Sequence, residues 1–151
     1  MAEGSPGRWP DLAGRIEGGR HVLPVRVYYE DTDFAGLVYH ANYLRFCERG
    51  RSDCLRLLGV HHHELRRQRG GLGFVVRRMV CDFVAPARID EVLEVESRFL
   101  GLSGARMEIA QRVVRDRETL FEAAVTAALV DARGRPRRLP EPVVAALSRL
   151  G

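Results

Sequence analysis

One long amphipathic segment, followed by four strand-like segments joined by short turns, constrains the fold of this 151-residue chain more than any other feature. A further strand pattern, HVLPVRVYYED, precedes the amphipathic segment. Short links favour antiparallel pairing because parallel strands need long crossover connections. A single helix with one apolar face must bury that face against the sheet. We therefore predict an α+β domain in which an antiparallel five-stranded sheet wraps around one long central helix.

The amphipathic segment has the periodicity of a helix that begins near Ala41 or Asn42 and ends before Gly59. Its apolar residues recur at helical spacing and share one face. They are Tyr43, Phe46, Cys47, Cys54, Leu57 and Leu58. Gly50 falls on the same face, and its missing side chain would allow the helix to approach the sheet closely.

The remaining elements follow from alternation and turn residues. The four later strand patterns are FVVRRMVCDFVAPA, EVLEVESRFLG, ARMEIAQRVVRD and LFEAAVTAALVDA, and EPVVAALSRL predicts a short closing helix. Links at 101–104 and 116–119 have hairpin composition. Residues 1–20 are rich in Gly, Pro and charge, which predicts a flexible N-terminal tail. Residues 21–151 then form a single domain.

Charge and composition argue against several protein classes. The 24 basic residues are all arginine, and with 20 acidic residues they give a net charge of +4. They are spread along the chain rather than clustered, so we predict no nucleic-acid partner. No apolar run approaches the ~20 residues of a transmembrane helix. The N-terminus lacks the apolar segment of a secretory signal. We expect a cytoplasmic protein, with peripheral membrane association left open.

Cysteine and histidine usage points to neither a disulfide framework nor a metal site. Cys47 and Cys54 would lie about 10 Å apart along one helix, which is too far for a disulfide. We interpret these two and Cys81 as small core residues. The run His61–His63 is a poor metal site because consecutive side chains do not converge on one ion, and no acidic or cysteine cluster accompanies it. We predict no metal and no cofactor.

The stretch YYEDTDFAGLVYHANY, residues 28–43, places acidic residues and a turn directly before a helix. Asp33 lies between the end of a strand and a turn that Gly36 permits. The free N–H groups and partial positive charge of the helix face back towards this loop, where they can hold a developing oxyanion. A nearby carboxylate can attack a carbonyl or direct water at it. The loop thus offers both halves of an acyl-transfer site, unless Asp31 and Asp33 only organise turns.

The sequence resembles a known enzyme family at this point. The segment VRVYYEDTDFAGLVYHANYLRFCERGRSDCLRLLG is similar to the signature of hotdog-fold acyl-CoA thioesterases of the 4-hydroxybenzoyl-CoA thioesterase superfamily, closest to the bacterial tol-pal-associated branch. Similarity continues in FVVRRMVCDFVAPARIDEVLEVE and PRRLPE, so it covers most of residues 22–141. The resemblance implies a hotdog fold and a cofactor-independent hydrolase that releases a free carboxylic acid and CoA.

The resemblance also implies roles for individual residues. Asp33 corresponds to the catalytic carboxylate, acting as a nucleophile that forms a mixed anhydride or as a general base on water. His40 would orient Asp33 or the water, or protonate the leaving thiolate; alternatively it is a helix-start histidine bonded to backbone. Gly36, Tyr39 and Asn42 are expected to contact substrate, although Asn42 is also a candidate helix cap.

Hotdog proteins usually build their sites across a subunit interface, which implies a homodimer or homotetramer. The segment Gly73-Phe74-Val75 of the facing subunit would then line the acyl pocket, with Phe74 shaping it. The acyl group would arrive on CoA, or alternatively on an acyl carrier protein. Phe34 is bulky where the family pattern often has a small residue or proline, so acyl specificity stays open. Candidates for binding CoA phosphates are Arg77, Arg78, Arg88, Arg137 and Arg138.

Two alternative functions use the same fold. A dehydratase acting on acyl-carrier thioesters generally needs a histidine and an acid along the central helix, and no fitting pair is apparent here. A non-catalytic acyl-CoA-binding or scaffolding protein of an envelope (tol-pal) complex would tolerate the loss of Asp33. Hydrolysis of acyl-CoA that depends on Asp33 would distinguish the thioesterase from both.

Overall fold

The computed structural model describes residues 10–68 and 70–150 and has all the predicted strands and helices in the predicted order, with one further strand and one further helix. The strands are β1 (Arg15–Glu17), β2 (Arg20–Arg26), β3 (Gly73–Phe83), β4 (Val92–Ser103), β5 (Arg106–Arg115) and β6 (Glu118–Val130). The helices are α1 (His40–Leu57), α2 (His62–Arg67) and α3 (Glu141–Leu147). All six strands form one antiparallel sheet in the order β1-β2-β4-β5-β6-β3. The predicted α+β sheet-and-helix architecture is confirmed.

Helix α1 packs its buried face against β2, β4 and β5. Phe46, Cys47 and Cys54 are fully buried at this contact, whereas Leu57, which we had placed on the same face, is exposed. A Cβ atom on Gly50 would lie 2.9 Å from Cγ1 of Val95, so a side chain there would clash with the sheet. The absence of a side chain at Gly50 therefore sets the distance between helix and sheet, as the sequence predicts.

The two predicted hairpin links are tight turns. Asp116 and Arg117, between β5 and β6, have φ values of 47° and 72°, and two consecutive positive values are the signature of a type I′ turn. The turn between β4 and β5 uses Gly104, with a φ of 61°. At the C-terminus, the backbone N–H of Phe99 donates to the carbonyl of Leu150 at 3.2 Å, which ties the segment after α3 to the sheet.

The sheet has six strands rather than the predicted five, because β1 is paired to β2 within the region that we had assigned to a flexible tail. Asp53 of α1 explains this order: its Oδ2 accepts a hydrogen bond from the backbone N–H of Gly14 at 2.8 Å and lies 2.7 Å from Nε2 of the buried His21. One helix carboxylate therefore holds both the residue that precedes β1 and a residue of β2. The rest of the predicted tail, residues 1–9, lies outside the described residues.

The cysteines follow the core interpretation only in part. Cys47 and Cys54 are buried, and burial raises the pKa of each thiol to about 12. Cys81 lies on β3 and is half-buried.

Among residues 10–68 and 70–150, no helix has the length and apolar character needed to span a membrane.

Candidate active site

The loop between β2 and α1 is anchored to the segment that precedes β4. The backbone N–H of Val38 donates to the carbonyl of Ala87 at 2.9 Å, and the N–H of Val27 donates to the carbonyl of Glu91 at 2.8 Å. Leu37 forms an isolated β-bridge with Arg88. These bonds fix both ends of the loop, so the residues between them have a defined position relative to the sheet.

Asp33 organises the tip of this loop while keeping one carboxylate oxygen free. Its Oδ1 accepts hydrogen bonds from the backbone N–H groups of Ala35 at 2.8 Å and Leu37 at 3.2 Å. The N–H of Gly36 donates to the Asp33 carbonyl at 3.0 Å, and the φ of Gly36 is 79°, a left-handed conformation that favours glycine. Oδ2 accepts no hydrogen bond from the described part of the chain, and the residue is exposed.

Asp31 has a different environment, two residues earlier. It is buried, and its Oδ2 accepts a hydrogen bond from the backbone N–H of Tyr28 at 2.8 Å. Its carbonyl accepts from the N–H of Tyr39 at 2.9 Å and from Nδ2 of Asn42 at 2.7 Å. Asp31 therefore joins the loop to the start of α1. The two aspartates therefore differ in exposure: Asp31 is buried within the turn, whereas Asp33 is exposed and has a carboxylate oxygen without a partner in the described part of the chain.

The start of α1 carries unpaired backbone donors. The cap position is Tyr39, not Asn42, and no side chain caps the helix. The N–H of Asn42 donates to the Tyr39 carbonyl at 2.8 Å. The N–H groups of His40 and Ala41 donate to no acceptor within the described ranges. Such unpaired donors at a helix start are the groups that the sequence predicted for an oxyanion.

The amides that hold the Asp33 carboxylate belong to the loop rather than to the helix. The two donors to Oδ1 are the backbone N–H groups of Ala35 and Leu37. A five-residue loop with a left-handed glycine can turn its own amides onto the aspartate that starts it. The helix amides consequently stay available for another group.

His40 is exposed, and its ring contacts aromatic side chains rather than the Asp33 carboxylate. Its centroid lies 4.5 Å from that of Tyr39 and 6.1 Å from that of Phe83, in an edge-on arrangement with the latter. No hydrogen bond between His40 and Asp33 occurs in the ranges that the structure describes. Phe83, at the end of β3, contacts Tyr43 and Phe121 as well, with centroid distances of 5.9 and 5.0 Å.

Phe83 was missed by the sequence reasoning. It is 52% exposed although it contacts the rings of Tyr43 and Phe121. Its third ring contact is with His40, the predicted catalytic histidine. The signal in the sequence was one more apolar residue at the end of a strand, which core packing explains equally well. Only the contact between β3 and the start of α1 reveals it as part of the site.

The three predicted substrate-contacting residues of this region have different environments. Tyr39 is about half exposed, whereas Asn42 is 5% exposed and occupied by its bond to Asp31. Gly36 lies at the surface of the loop, with open space where a Cβ atom would be. Tyr39 and Gly36 are accessible to a ligand, while Asn42 supports the loop from inside.

Phe74 is not brought to this site within one chain. It lies at the start of β3, whereas the residue that contacts His40, Phe83, lies at the end of the same strand, about 30 Å away at the usual rise per residue. Phe74 instead lines a cavity of about 130 Å³ between α1 and the sheet of its own chain. A contribution of Phe74 to the Asp33 site therefore requires a second copy, as the prediction states.

Arg88 is the CoA-phosphate candidate whose backbone pairs with the Asp33 loop, through its bridge to Leu37. Arg77 and Arg78 are exposed on β3, and Arg138 is exposed in the loop after β6. Nη1 of Arg137 lies 3.3 Å from Oδ2 of Asp131 and forms an ion pair there.

Over the described residues, no three His, Cys, Asp or Glu side chains are grouped as metal ligands would be.

Comparison with known proteins gives one consistent result. A family model described as the thioesterase-like superfamily matches residues 27–147. The acyl-CoA thioester hydrolase YbgC of Escherichia coli O6:H1 is 44% identical over 128 residues, which cover 81% of this chain and 91% of that protein. The acyl-CoA thioesterase YbgC of Haemophilus influenzae is 41% identical over 129 residues, with 85% and 94% covered.

Solved structures agree in both fold and sequence. The crystal structure of a probable thioesterase from Bartonella henselae superposes with a TM-score of 0.78 at 44% identity, covering 80% of this chain and 99% of that chain. The family match includes the Asp33 loop, helix α1 and strands β3 to β6. This chain is a member of the thioesterase-like superfamily.

Proposed function

We propose that this protein hydrolyses acyl-CoA thioesters to a free carboxylic acid and CoA, with Asp33 as the catalytic carboxylate. One observation carries the assignment: Asp33 has one oxygen fixed by two loop amides. Its other oxygen, and the two amides at the start of α1 to which the loop leads, have no partner among residues 10–68 and 70–150. The activity of the relatives in E. coli and H. influenzae, named as acyl-CoA thioester hydrolase and acyl-CoA thioesterase, supports the same reaction.

Hydrolysis of the thioester can follow two routes, which differ in whether Asp33 acts on water or on the thioester carbon. As a general base, Oδ2 of Asp33 takes a proton from water while the water oxygen bonds to the thioester carbon; the C–S bond then breaks, and the thiolate leaves and takes up a proton. As a nucleophile, the same oxygen bonds to the carbon and expels the thiolate, and water then cleaves the mixed anhydride. In both routes, the amides of His40 and Ala41 would stabilise the negative carbonyl oxygen.

His40 is proposed to deliver the proton to the leaving thiolate or to orient the attacking water. It is exposed at the first turn of α1, next to the two unpaired amides, and has no hydrogen-bonded partner within the described residues to hold it in a purely structural role. Its ring contacts Tyr39 and Phe83, and the residue nevertheless remains exposed.

A second copy of the chain is proposed to complete the site. Strand β3 ends the sheet, so one edge of its 11 residues is open to pairing. Val75, Val76, Val80 and Phe83 on this strand are each more than 40% exposed. Antiparallel pairing of two β3 strands would set the start of one against the end of the other, so Phe74 of the second copy would approach Phe83 and His40 of the first.

The remaining functional details follow from this assignment. Arg88 is the first candidate for the CoA phosphates because of its position beside the loop; an acyl carrier protein in place of CoA would make that contact less important. The three free cysteines suit a reducing compartment, which supports a cytoplasmic location. A homodimer is the smallest assembly that satisfies the shared site.

The direct test is thiol release from a panel of acyl-CoAs by the wild type and the Asp33→Asn variant. The asparagine keeps an oxygen that can accept from Ala35 and Leu37, so the loop should hold. We expect wild-type hydrolysis and a loss of about 10³-fold in the variant, with an unchanged unfolding midpoint. A panel that the wild type leaves intact, together with tight acyl-CoA binding, would instead indicate the scaffolding role in a tol-pal complex.

A further inference from the structure

Tyr43 is a core residue by its spacing on α1, but its hydroxyl also forms a specific hydrogen bond. The Oη atom accepts from the backbone N–H of Ala87 at 3.1 Å, and both residues are buried. Ala87 belongs to the segment 84–91, between β3 and β4, to which the Asp33 loop is anchored. The Tyr43 hydroxyl therefore joins the central helix to the segment that holds the loop.

Ala87 also bonds to the loop directly, through its carbonyl. This oxygen accepts a hydrogen bond from the N–H of Val38 at 2.9 Å. Val38 follows the residue whose N–H donates to Oδ1 of Asp33 at 3.2 Å. It lies two residues before His40, which carries one of the two helix amides without an acceptor in the described ranges. Two successive hydrogen bonds thus connect Tyr43 to the point of the chain between the carboxylate and the helix amides.

Three phenylalanine rings surround the ring of Tyr43. Its centroid lies 5.1 Å from that of Phe121 in a stacked arrangement, and 6.4 and 5.9 Å from those of Phe46 and Phe83 in edge-on arrangements. Phe83 also contacts the ring of His40. A close-packed aromatic side chain keeps one orientation, so these contacts define the position of the Tyr43 hydroxyl.

The segment 84–91 is an irregular connection and depends on anchors of this kind. The N–H groups of Val84 and Ala85 donate to the carbonyl of Leu120 at 2.8 and 3.1 Å, which ties the beginning of the segment to the sheet. In the part of the chain that the structure describes, the Tyr43 hydroxyl is the one group of α1 that forms a hydrogen bond to this segment. Its removal would leave the buried N–H of Ala87 without a partner.

We propose that Tyr43 is a positioning residue for thioester hydrolysis. Its hydroxyl, acting through Ala87 and Val38, sets the position of the Asp33 carboxylate relative to the amides at the start of α1. Misplacement of a reacting group by about 1 Å can lower a rate ~10²-fold, so one remote hydrogen bond can control turnover. This assignment rests on the proposed function, since the position of Asp33 matters to turnover only if Asp33 reacts.

Positioning and proton transfer differ in their effect on the pH dependence of the rate. Burial raises the pKa of Tyr43, so its hydroxyl is neutral from about pH 5 to pH 9. Removing a neutral positioning group should lower the pH–rate profile by the same factor at every pH and leave both limbs in place. Removing a group that donates a proton in the reaction would change one limb of the profile.

The variant Tyr43→Phe removes the hydroxyl and keeps the ring. We expect kcat for acyl-CoA, per folded protein, to fall about tenfold or more with KM nearly unchanged, because the positioned groups act in the transition state. The hydroxyl is buried, unlike the exposed groups at the start of α1, so its loss also lowers stability. Ser97→Ala is the matched control: it removes another buried hydroxyl, which accepts from Nε2 of Gln111 at 2.8 Å, and should leave kcat unchanged.

Amide hydrogen exchange gives a readout that does not depend on activity. In Tyr43→Phe, the amides of Leu37 and Val38 should exchange about tenfold faster relative to those of β6, because their anchor has lost its bond to the helix. Ser97→Ala should leave this ratio unchanged. If Tyr43→Phe does not fold, lactate in place of Ala87 removes the N–H donor and keeps every side chain, and should change kcat and the exchange ratio in the same directions.

The outcomes separate this proposal from the proposed function. Wild-type kcat in a folded Tyr43→Phe protein, an equal loss of kcat in Ser97→Ala, or a shifted limb of the pH–rate profile would each overturn the positioning role and leave the hydrolase standing. Faster exchange at Leu37 and Val38 in Tyr43→Phe, in a protein whose wild type hydrolyses no acyl-CoA, would keep the link from Tyr43 to the loop and refute the hydrolase.

Discussion

The start and the middle of α1 differ in how completely their polar groups are satisfied. In the middle, Nε2 of the buried Gln111 donates to the Cys47 carbonyl at 2.9 Å and to Oγ of Ser97 at 2.8 Å, and its Oε1 accepts from Arg51. At the start, the amides of His40 and Ala41 and one oxygen of Asp33 have no partner in the described ranges. The paired groups around Gln111 stabilise the fold, whereas the unpaired groups at the start of the helix are available for chemistry.

This contrast predicts opposite consequences for substitutions only a few turns apart on one helix. Changes in the middle should lower the free energy of unfolding and affect turnover only through loss of folded protein. Changes at the start should lower turnover and leave unfolding nearly unchanged.

The largest expected effect on stability is at Gly50. Gly50→Val should lower the free energy of unfolding by about 3 kcal/mol, because even a Cβ atom would lie 2.9 Å from Val95 and 3.3 Å from Oγ of Ser97. Urea unfolding measures the loss. Arg49→Val is the control for helix propensity and should cost only tenths of a kcal/mol. Equal losses in the two variants would mean that helix–sheet distance is not set at Gly50.

Breaking the buried network should have the next largest effect. Gln111→Leu should cost about 2 kcal/mol because it leaves Arg51 and Ser97 without their partner. Ser97→Ala and the double variant complete a thermodynamic cycle. A non-additive double variant is expected, since both residues belong to one network. Strict additivity would show that the bond between Gln111 and Ser97 does not contribute.

At the start of the helix, His40→Ala should lower turnover about tenfold, equivalent to ~1.4 kcal/mol in the barrier. Its unfolding midpoint should stay within error of the wild type because the side chain is exposed. Steady-state thiol release measures the rate, and Arg49→Ala, exposed on the same helix, provides the control. An unchanged turnover number would assign His40 a structural role.

The smallest predicted effect concerns the reactivity of the cysteine thiols. It compares those of helix α1 with the one on the edge strand β3. A thiol reagent at pH 8 should modify Cys81 of β3 first, because Cys47 and Cys54 are buried and burial raises the pKa of each to about 12. Peptide mass mapping under native conditions identifies the labelled residue. Early labelling of Cys47 would indicate that α1 separates from the sheet more readily than its packing suggests.

Sequence patterns predicted the fold because helix and strand periodicities are long here and the links are short. The central helix, the four later strands and the role of Gly50 all follow from spacing. The first strand could not be predicted, since Arg15–Glu17 has no apolar pattern and depends on contacts that Asp53 makes from the helix. When a side chain distant in sequence holds a strand in place, the strand's own residues show no pattern that predicts it.

The sequence indicates the residues of the candidate site but not their contacts. Asp33, Gly36 and His40 stand out because acids, a glycine and a helix start occur together. The sequence did not indicate that loop amides rather than helix amides hold Asp33, or that Phe83 adjoins His40. Both facts depend on how the loop folds back and on which strand passes the helix start.

The pair Asp31 and Asp33 gives the most direct test of the central claim, that the unbonded carboxylate oxygen of Asp33, on the loop that leads to the open amides of α1, performs the reaction. Turnover of an acyl-CoA by Asp33→Asn and by Asp31→Asn should be measured alongside their unfolding midpoints. We predict a loss of about 10³-fold for Asp33→Asn with normal stability, and near-normal turnover for Asp31→Asn. Wild-type turnover in a folded Asp33→Asn protein would contradict the account.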